Sequence, residues 1–530
     1  MPKVLITDEL SPRSVEIFRA RGIETDVATG LKPAELQARI AGYDGLAVRS
    51  ATKVTAELIA AADALKIVGR AGIGVDNIDV AAATERGIVV MNTPYGNAIT
   101  AAEHTIAMMF ALARQIPAAD RSTQAGKWEK SRFMGVELSG KTLGIIGCGN
   151  IGAIVADRAH GLKMKVIAYD PFLSPERAVE LGVERVTLDE LLPRADFITL
   201  HTPMTEATRN IIDRDAIAKM KPGARLINCA RGGLVVEADL AAALDEGRIA
   251  GAAIDVFVDE PAIASPLFGH DNFVATPHLG AATSEAQENV ALQIAEQMAD
   301  FLLTGAVANA VNMPSLSAEE AARLKPYMVL AAQLGSFAGQ LTESGISAVD
   351  IEYQGAIAEL NTKPLTATAL TGLLAPQLAT VNMVNAPVIC RQRDIRVSET
   401  LRGDAGEYQT LMRVTVTPNG PAGGQRQRTV AGTVFAGNKP RLVDIEGMAL
   451  EAELGRHVLF VRNYDKPGFI GALGQALAAA EVNIATFHLG RTAPGQNAIA
   501  LIEVDQPLTA GLIETVRRLP NVIQATALRF

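Results

Sequence analysis

The sequence is poor in cysteine and in aromatic residues. Only three of its 530 residues are cysteines (Cys148, Cys229 and Cys390), and none has a neighbour at the spacing of a zinc or redox pair. This gives no basis for a disulfide framework or a metal site, and it favours a reducing, cytoplasmic environment. Aromatic residues make up 4% of the chain, with one tryptophan. That content argues against a surface on which bases or sugars stack.

An excess of positive charge and a long hydrophobic run are also missing. The chain has 49 basic and 58 acidic residues, a net charge of −9, which argues against nucleic acid or an anionic membrane as partner. The longest apolar stretch, near residue 105, is too short to span a bilayer, and the start M-P-K-V-L-I-T-D has no signal-peptide pattern. The length predicts three or four domains of about 100–200 residues each.

The hydrophobic pattern predicts an α/β protein with two successive parallel sheets. Short apolar runs alternate with helical patterns over residues 1–95 and again over 142–277, as in doubly wound folds. A long amphipathic helix is predicted over 283–305. Residues 315–450 predict antiparallel strands, with a loop over 417–425, and residues from 453 predict a β-α-β-β-α-β ferredoxin-like module.

The clearest motif is G-x-G-x-x-G, formed by Gly147, Gly149 and Gly152 between a predicted strand and a predicted helix. Such glycines permit a tight turn, close approach of a pyrophosphate and packing of helix on strand. Asp170 follows 18 residues after Gly152, at the end of the next strand. A carboxylate there binds ribose hydroxyls and repels a 2′-phosphate, which favours NAD over NADP. The alternative is a structural turn in another doubly wound domain.

A second group of residues follows later strands of the same predicted sheet. Arg231 lies in N-C-A-R-G-G, Glu260 in V-D-E-P and His278 in T-P-H-L-G. Ligands gather at the carboxyl ends of parallel strands, where an arginine binds a carboxylate and a histidine moves a proton. Taken singly, the arginine and glutamate also suit salt bridges, and the histidine suits a capping role. His104, in A-A-E-H-T, is predicted to be a satisfied core histidine.

Together these motifs resemble the D-isomer-specific 2-hydroxyacid dehydrogenase family, over Met1 to about Ser315. The resemblance implies two Rossmann-like domains and NAD as cofactor, with Arg231, Glu260 and His278 as the catalytic residues. His278 would be the general base in oxidation. The implied cofactor contacts are Gly147, Gly149, Asn150, Ile151, Gly152, Asp170, Thr202, Cys229, Asp255 and Gly280.

Two further motifs, V-R-S-A-T at 48–52 and V-G-R-A-G-I-G-V-D at 68–76, resemble the phosphoglycerate dehydrogenases of that family. This resemblance implies 3-phosphoglycerate as substrate and serine biosynthesis as the pathway. Arg49, Ser50, Arg70 and Gly72 would bind the substrate anion. Lys130 would reach the site of a neighbouring subunit. One alternative is a dehydrogenase or reductase of another D-2-hydroxy acid, with hydroxypyruvate or glyoxylate as substrate. The other is a NAD-sensing binding protein that resembles a corepressor.

The end of the chain resembles an ACT domain, a small regulatory fold that binds amino acids between subunits. The resemblance implies L-serine as effector, with contacts at Tyr464, Asp465 and Asn483, and a homo-oligomer, either a dimer or a tetramer. The expected division is a substrate domain (1–95 and 285–314), a NAD-binding domain (96–284), an α+β intervening domain (315–452) and the ACT domain (453–530).

Overall fold

The computed structural model describes residues 1–316, 318–342, 344–419, 427–436 and 438–530. Most of the loop predicted over 417–425 lies outside these ranges. The described residues form four sheets, and the α/β class predicted from the sequence is confirmed. Among the described residues, no helix has the length and apolar character needed to cross a membrane.

The first sheet is parallel throughout, with strand order β2-β1-β3-β4-β5. Its elements are β1 (Lys3–Ile6), α1 (Pro12–Ala20), β2 (Glu24–Val27), α2 (Pro33–Arg39), β3 (Gly45–Val48), α3 (Ala56–Ala60), β4 (Ile67–Arg70), α4 (Val80–Glu85) and β5 (Val89–Met91). Strands β1, β3, β4 and β5 coincide with predicted apolar runs. Strand β2, E-T-D-V, escaped prediction because it lies at the sheet edge and has little apolar character.

The second sheet is also parallel, with order β12-β11-β10-β9-β6-β7-β8. Its strands are β6 (Thr142–Ile146), β7 (Lys165–Tyr169), β8 (Glu184–Arg185), β9 (Phe197–Leu200), β10 (Arg225–Asn228), β11 (Gly251–Ile254) and β12 (Phe273–Ala275). Its helices are α5 (Ala98–Ala113), α6 (Ile116–Gln124), α7 (Asn150–Gly161), α8 (Pro175–Glu180), α9 (Leu188–Arg194), α10 (Arg214–Lys219) and α11 (Glu237–Asp245). The carboxyl ends of β6, β7 and β9 to β12 carry most of the predicted site residues.

The chain then returns to the first sheet through helix α12 (Ser284–Thr304). Ile294 and Met298 of this helix pack over β4 at Gly69, where a Cβ would lie 2.2 Å from the Met298 sulfur. A glycine at this position therefore lets the helix lie close to the strand. The chain crosses between the sheets twice, before α5 and before α12, and loops at the carboxyl edges of the two sheets meet where Arg231 contacts Asp76 and Arg49 contacts Ala281; the space between the two edges is called here the cleft.

The third unit combines a six-stranded sheet with helices. Its elements are α13 (Ala318–Leu341), β13 (Ile346–Gly355), α14 (Lys363–Leu374), α15 (Ala386–Gln392), β14 (Arg396–Arg402), β15 (Thr410–Pro418), β16 (Arg428–Phe435), β17 (Lys439–Ile445) and β18 (Met448–Ala452). The prediction of antiparallel strands holds for most pairs, but β13 and β14 pair in parallel. A crossover through α14 and α15 joins those two strands, and such crossovers produce parallel neighbours.

The fourth unit has the predicted β-α-β-β-α-β order, with strand order β20-β21-β19-β22. Its elements are β19 (His457–Tyr464), α16 (Phe469–Ala479), β20 (Ile484–Arg491), β21 (Asn497–Val504), α17 (Ala510–Arg517) and β22 (Val522–Arg529). It is not an isolated module, because Phe460 of β19 shares one hydrophobic cluster with Phe337 of α13. At the same boundary, the buried carboxylate of Glu446 pairs with Arg428 and Arg462.

Candidate active site

The glycine-rich turn joins β6 to α7 as its spacing requires. Gly147 has φ +92° and lies against the carbonyl of His201, so that a Cβ would be 2.7 Å from the oxygen. A Cβ on Gly152 would lie 2.2 Å from the Gly147 carbonyl oxygen, whereas a Cβ on Gly149 would meet nothing within 4 Å. Two glycines therefore serve the packing of the turn. The third leaves open space in front of the helix N-terminus, where phosphates bind.

The surroundings of this turn fit a dinucleotide. Asp170 follows β7, and its carboxylate accepts hydrogen bonds from the backbone N–H of Cys148 and Phe172, both at 2.8 Å. The buried Thr202 hydroxyl, which lies beside Gly147, has no hydrogen-bond partner among the described residues. An open cradle with an unsatisfied hydroxyl and a carboxylate beside it suits the phosphates and ribose of NAD.

Two more predicted cofactor residues begin helix α7. Asn150 and Ile151 are the first residues of the helix. The side-chain amide nitrogen of Asn150 donates a long hydrogen bond, 3.5 Å, to the carbonyl oxygen of Pro94. The backbone N–H groups of a first helical turn have no partner within the helix. This end of α7 therefore presents free donors toward the open space at Gly149.

The predicted proton-transfer pair is assembled. His278 Nδ1 lies 2.7 Å from Glu260 Oε2, and Glu260 Oε1 accepts the backbone N–H of Phe257 at 3.0 Å. Burial raises the pKa of the Glu260 carboxyl, but the bonds from His278 and Phe257 lower it more, so it lies below its usual value. An ionised Glu260 accepts a hydrogen bond from Nδ1–H, which leaves Nε2 of the half-exposed His278 as the unprotonated nitrogen of the neutral ring.

His278 lies on a turn that is bonded tightly to Asp255. His278 has φ +56°, and its backbone N–H donates to the Asp255 carbonyl at 2.9 Å. The fully buried Asp255 carboxylate accepts the N–H groups of Leu279 at 2.7 Å and Gly280 at 2.9 Å. Asp255 and Gly280, which are both predicted to contact the cofactor, are therefore hydrogen-bonded to each other. Cys229 packs beside them, and burial raises the pKa of its thiol to about 12.

Three arginines lie together across the cleft and are called here the arginine cluster: Arg49 after β3, Arg70 at the end of β4 and Arg231 after β10. Burial, followed by repulsion from Arg231 and Arg49, lowers the pKa of Arg70 to about 10. Its Nε is buried without a partner among the described residues. A site that crowds three cations is stabilised by an anion.

Contacts across the cleft hold this cluster in place. Arg231 Nε donates to Asp76 at 2.7 Å, and a Cβ on Gly74 would lie 1.7 Å from Arg231 Nη2. Arg49 Nη2 lies 3.5 Å from the carbonyl oxygen of Ala281, three residues beyond His278. The arginine cluster therefore bridges the first sheet to the loops of the second that bear the proton-transfer pair.

The other predicted substrate residues differ in placement. Gly72 has φ +147° and lies against the Arg70 guanidinium, where a Cβ would be 2.2 Å from Nη1. Ser50 is exposed beside Arg49. Lys130 is exposed in the connection between α6 and β6, and within the described part of the chain no hydrogen bond or ion pair links it to the cleft.

Comparisons with known proteins cover nearly the whole chain. Family models match residues 106–280 (D-isomer specific 2-hydroxyacid dehydrogenase, NAD binding domain), 323–446 (D-3-phosphoglycerate dehydrogenase intervening domain) and 457–521 (ACT domain). A D-3-phosphoglycerate dehydrogenase of Synechocystis is 43% identical over 99% of this chain and 94% of its own length. That of Bacillus subtilis is 40% identical over 99% and 98%.

This chain belongs to the D-3-phosphoglycerate dehydrogenase family. As a member of it, the chain is a NAD-dependent oxidoreductase with two Rossmann-like units, an intervening domain and an ACT domain. A solved 3-phosphoglycerate dehydrogenase of Entamoeba histolytica with bound NAD+ superposes with a TM-score of 0.51 and 32% identity, covering 59% of this chain and 99% of that one. The solved relative therefore corresponds to the dehydrogenase part alone.

The ACT domain of this dehydrogenase has a surface cavity of about 380 Å³. Asp465 lines it and accepts a hydrogen bond from Arg491 Nη1 at 2.9 Å, which lowers the pKa of Asp465. Tyr464 is half-exposed and is not part of the lining. Asn483 is also outside the lining, and its side-chain amide donates to Asp505 at 2.7 Å. The structure thus separates the three predicted effector contacts within one chain.

Sequence reasoning missed two contacts of the candidate site. Asp76, the partner of Arg231, lies at the end of the motif at 68–76, from which only Arg70 and Gly72 were predicted as site residues. His104, predicted as a core histidine, has its Nε2 3.2 Å from both the Asp255 carboxylate and the Thr276 hydroxyl. No local pattern marks either residue, because both partners lie more than 100 residues away.

Proposed function

We propose that this dehydrogenase oxidises 3-phospho-D-glycerate to 3-phosphohydroxypyruvate, the first step of serine biosynthesis, with His278 as general base. The observation that carries the proposal is that Arg231, Glu260 and His278 follow strands of the sheet that bears the dinucleotide cradle, while Arg49 and Arg70 of the first sheet lie close to Arg231, and Arg49 reaches the loop of His278. NAD, when bound, supplies the hydride acceptor. All other chemistry falls to side chains of this chain.

Each side chain has a separate role in this proposal. Arg231, fixed by Asp76, binds the substrate carboxylate through its planar guanidinium. Arg49 and Arg70, with Ser50 and the backbone at Gly72, hold the remaining anionic groups. His278 takes the hydroxyl proton at Nε2, and Glu260 stabilises the imidazolium that forms.

Replacement of His278 by alanine tests this assignment. We expect turnover to fall about 10²- to 10⁴-fold, the range for loss of a general base. The dissociation constant for NADH should change little, because the glycine-rich turn is untouched. A His278→Ala variant with full activity would refute the proposed mechanism.

The arginine cluster predicts a preference for a phosphorylated substrate. We expect the wild-type kcat/KM for 3-phosphoglycerate to exceed that for D-glycerate, and Arg70→Met to remove most of that difference. Equal activity on both acids, or on hydroxypyruvate and glyoxylate in the reverse direction, would favour a dehydrogenase for another D-2-hydroxy acid. A wild-type protein that binds NAD but turns over none of these acids would favour the NAD-sensing alternative.

Regulation by L-serine at the ACT domain is part of the proposal. Asp465 is a carboxylate that recognises an ammonium group, and it lies in a cavity of suitable size for an amino acid. We propose that Tyr464 and Asn483 complete the serine contacts from other faces of the domain in a homo-oligomer. Phosphoglycerate-dependent NADH formation, measured with and without L-serine for wild type and Asp465→Ala, tests this; inhibition that is equal in both proteins argues against it.

The remaining proposals concern assembly and boundaries. We propose that the protein is a homotetramer or dimer in the cytoplasm and that Lys130 reaches the active site of a neighbouring subunit. We also propose four domains: a substrate domain (1–95 and 285–314), a NAD-binding domain (96–284), an intervening domain (315–452) and an ACT domain (453–530). Size-exclusion chromatography with light scattering measures the assembly. Mixing inactive Lys130→Ala and His278→Ala subunits measures complementation, and unrestored activity would oppose a shared site.

A further inference from the structure

Helix α5 carries an imidazole, that of His104, which contacts the residues that hold the turn of His278. His104 Nε2 is 3.2 Å from Asp255 Oδ1 and 3.2 Å from the Thr276 hydroxyl oxygen. The His104 side chain is 18% exposed, and its Nε2 lies near the same Asp255 oxygen that accepts the Thr276 hydroxyl and the Leu279 N–H. The helix itself packs against α7 and against β10 and β11, so the imidazole is mounted on a rigid element.

Asp255 is the residue through which this imidazole can act. Its carboxylate accepts hydrogen bonds from the Thr276 hydroxyl at 2.6 Å, Leu279 N–H at 2.7 Å and Gly280 N–H at 2.9 Å. Its carbonyl accepts the N–H of His278. The turn is therefore bonded to one residue on both sides of His278.

The backbone of His278 needs this support. A residue other than glycine at φ +56° adopts a sparsely populated conformation, which persists only where neighbouring contacts fix it. Asp255 supplies those contacts, and its carboxylate must remain ionised to accept all of them. The position of the catalytic imidazole thus depends on the charge state of a side chain that is fully buried.

A buried carboxylate is held ionised by the donors around it. Burial raises the pKa of Asp255, while the bonds from His104, Thr276 and Leu279 lower it more, so that it lies below its ordinary value. His104 Nε2 lies 3.2 Å from this carboxylate and is hydrogen-bonded to the Thr276 hydroxyl. Because that hydroxyl donates to Asp255, it accepts a hydrogen bond from His104, which places the His104 proton on Nε2. His278, whose Nδ1 faces Glu260, has the opposite tautomer.

We propose that His104 is a positioning residue of the dehydrogenase: its Nε2–H donates to the Thr276 hydroxyl, which in turn donates to Asp255, and these bonds keep the turn of His278 in its catalytic conformation. The inference rests on the proposed role of His278 as general base. Cys229 also lies in this cluster, and His104, Cys229 and Asp255 offer ligand atoms within 4.8 Å of one another. These groups favour hydrogen bonding over metal binding. The buried Cys229 thiol resists deprotonation, and both carboxylate oxygens of Asp255 already accept hydrogen bonds from backbone N–H groups.

The test is a matched pair at position 104. In His104→Gln, the side-chain amide nitrogen reaches the position of Nε2, whereas in His104→Met a side chain of similar length has no donor. We expect kcat of His104→Met to fall about 10- to 100-fold, the range for misplaced reacting groups, and kcat of His104→Gln to stay within about threefold of wild type. KM for 3-phosphoglycerate and the dissociation constant for NADH should differ less than threefold between the pair, since the arginine cluster and the glycine turn are unchanged.

A double mutant separates positioning from a general loss of structure. If His104 acts through His278, adding His104→Met to His278→Ala should lower kcat by less than twofold further. A further tenfold loss in that background, or equal kcat values for the Gln and Met variants, would overturn the inference. If the Met variant does not fold, Thr276→Val removes the hydroxyl that joins His104 to Asp255, and an unchanged kcat in that variant would also overturn the inference.

These results are distinguishable from failure of the proposed function. A fully active His278→Ala variant would refute the general-base assignment itself. An inactive His278→Ala variant together with indistinguishable Gln and Met variants would leave the proposed function standing and refute only the role of His104.

Discussion

Alanine substitutions at three glycines of one segment separate cofactor binding from packing. Gly149, Gly152 and Gly161 lie before, within and at the end of helix α7, and none of them has a positive φ. A Cβ on Gly152 would lie 2.2 Å from a backbone oxygen, while Cβ atoms on Gly149 and Gly161 would meet nothing within 4 Å. The structure therefore predicts three different outcomes for the same chemical change.

For Gly149→Ala, the added methyl group fits the protein but fills the space in front of the helix N-terminus. Loss of one hydrogen bond to a charged group costs about 1.5–3 kcal/mol. NADH affinity should therefore fall about 10- to 150-fold, while the thermal midpoint stays close to that of wild type.

For Gly152→Ala, the clash is with backbone and has to be relieved by moving α7 away from β6. Overpacking of this kind costs about 1–3 kcal/mol. At about 2–4 °C per kcal/mol for a domain of this size, the first thermal transition should fall by several degrees, and NADH affinity should fall as well. Gly161→Ala is the control, and it should keep both properties, since alanine is favoured over glycine within a helix.

Titration of NADH by its fluorescence and thermal unfolding followed by circular dichroism measure the two effects. The reasoning would be refuted if Gly149→Ala bound NADH as tightly as wild type. It would also be refuted if Gly152→Ala were as stable as Gly161→Ala.

Three further predictions concern other parts of the chain. Glu446 has a side chain that is only 5% exposed, and its carboxylate forms ion pairs at the boundary with the ACT domain. Glu446→Gln breaks these pairs and should lower the free energy of unfolding, measured by urea denaturation, by about 3–5 kcal/mol. The control Glu453→Gln, at a 67% exposed carboxylate, should cost less than about 1 kcal/mol, and equal losses would contradict this. A Cβ on Gly87 would lie 2.1 Å from Asn382 of the intervening domain, so Gly87→Ala should weaken this contact and increase proteolysis of that domain. The control Gly30→Ala has a similar positive φ and open surroundings, and it should leave the proteolysis unchanged. Asp170→Ser should lower the ratio of kcat/KM for NAD to that for NADP at least tenfold, and an unchanged ratio would show that another residue selects the cofactor.

The parts of the fold that the sequence predicted are those with local physical causes. Strands β6 and β7, the glycine turn between them and Asp170 form one continuous β-α-β segment, where alternation and glycine spacing determine the outcome. Helix α12 was predicted from its amphipathic pattern for the same reason. The parallel pairing of β13 with β14 was not predicted, because partner choice depends on the crossover between them and not on either strand.

The candidate site shows the same division. Arg231, Glu260 and His278 were predicted because parallel strands bring their carboxyl ends to one edge. Helix α13, with Pro326 inside it, was overlooked in a region whose composition suggested strands. The joint hydrophobic core of the intervening and ACT domains was likewise missed, because packing between elements far apart in the chain leaves no periodic signal in either one.

By itself, the sequence determined the fold class and the NAD cofactor and predicted the candidate site residues, since these follow from local periodicity and from short motifs at the ends of strands of one sheet. Only the tertiary structure decided which groups support that chemistry. Asp76 fixes Arg231, and Asp255 joins His104 to the turn of His278. These contacts join residues that are 151 to 155 positions apart or carry no pattern of their own, and burial and distance, which decide the strength of such contacts, exist only in the folded chain.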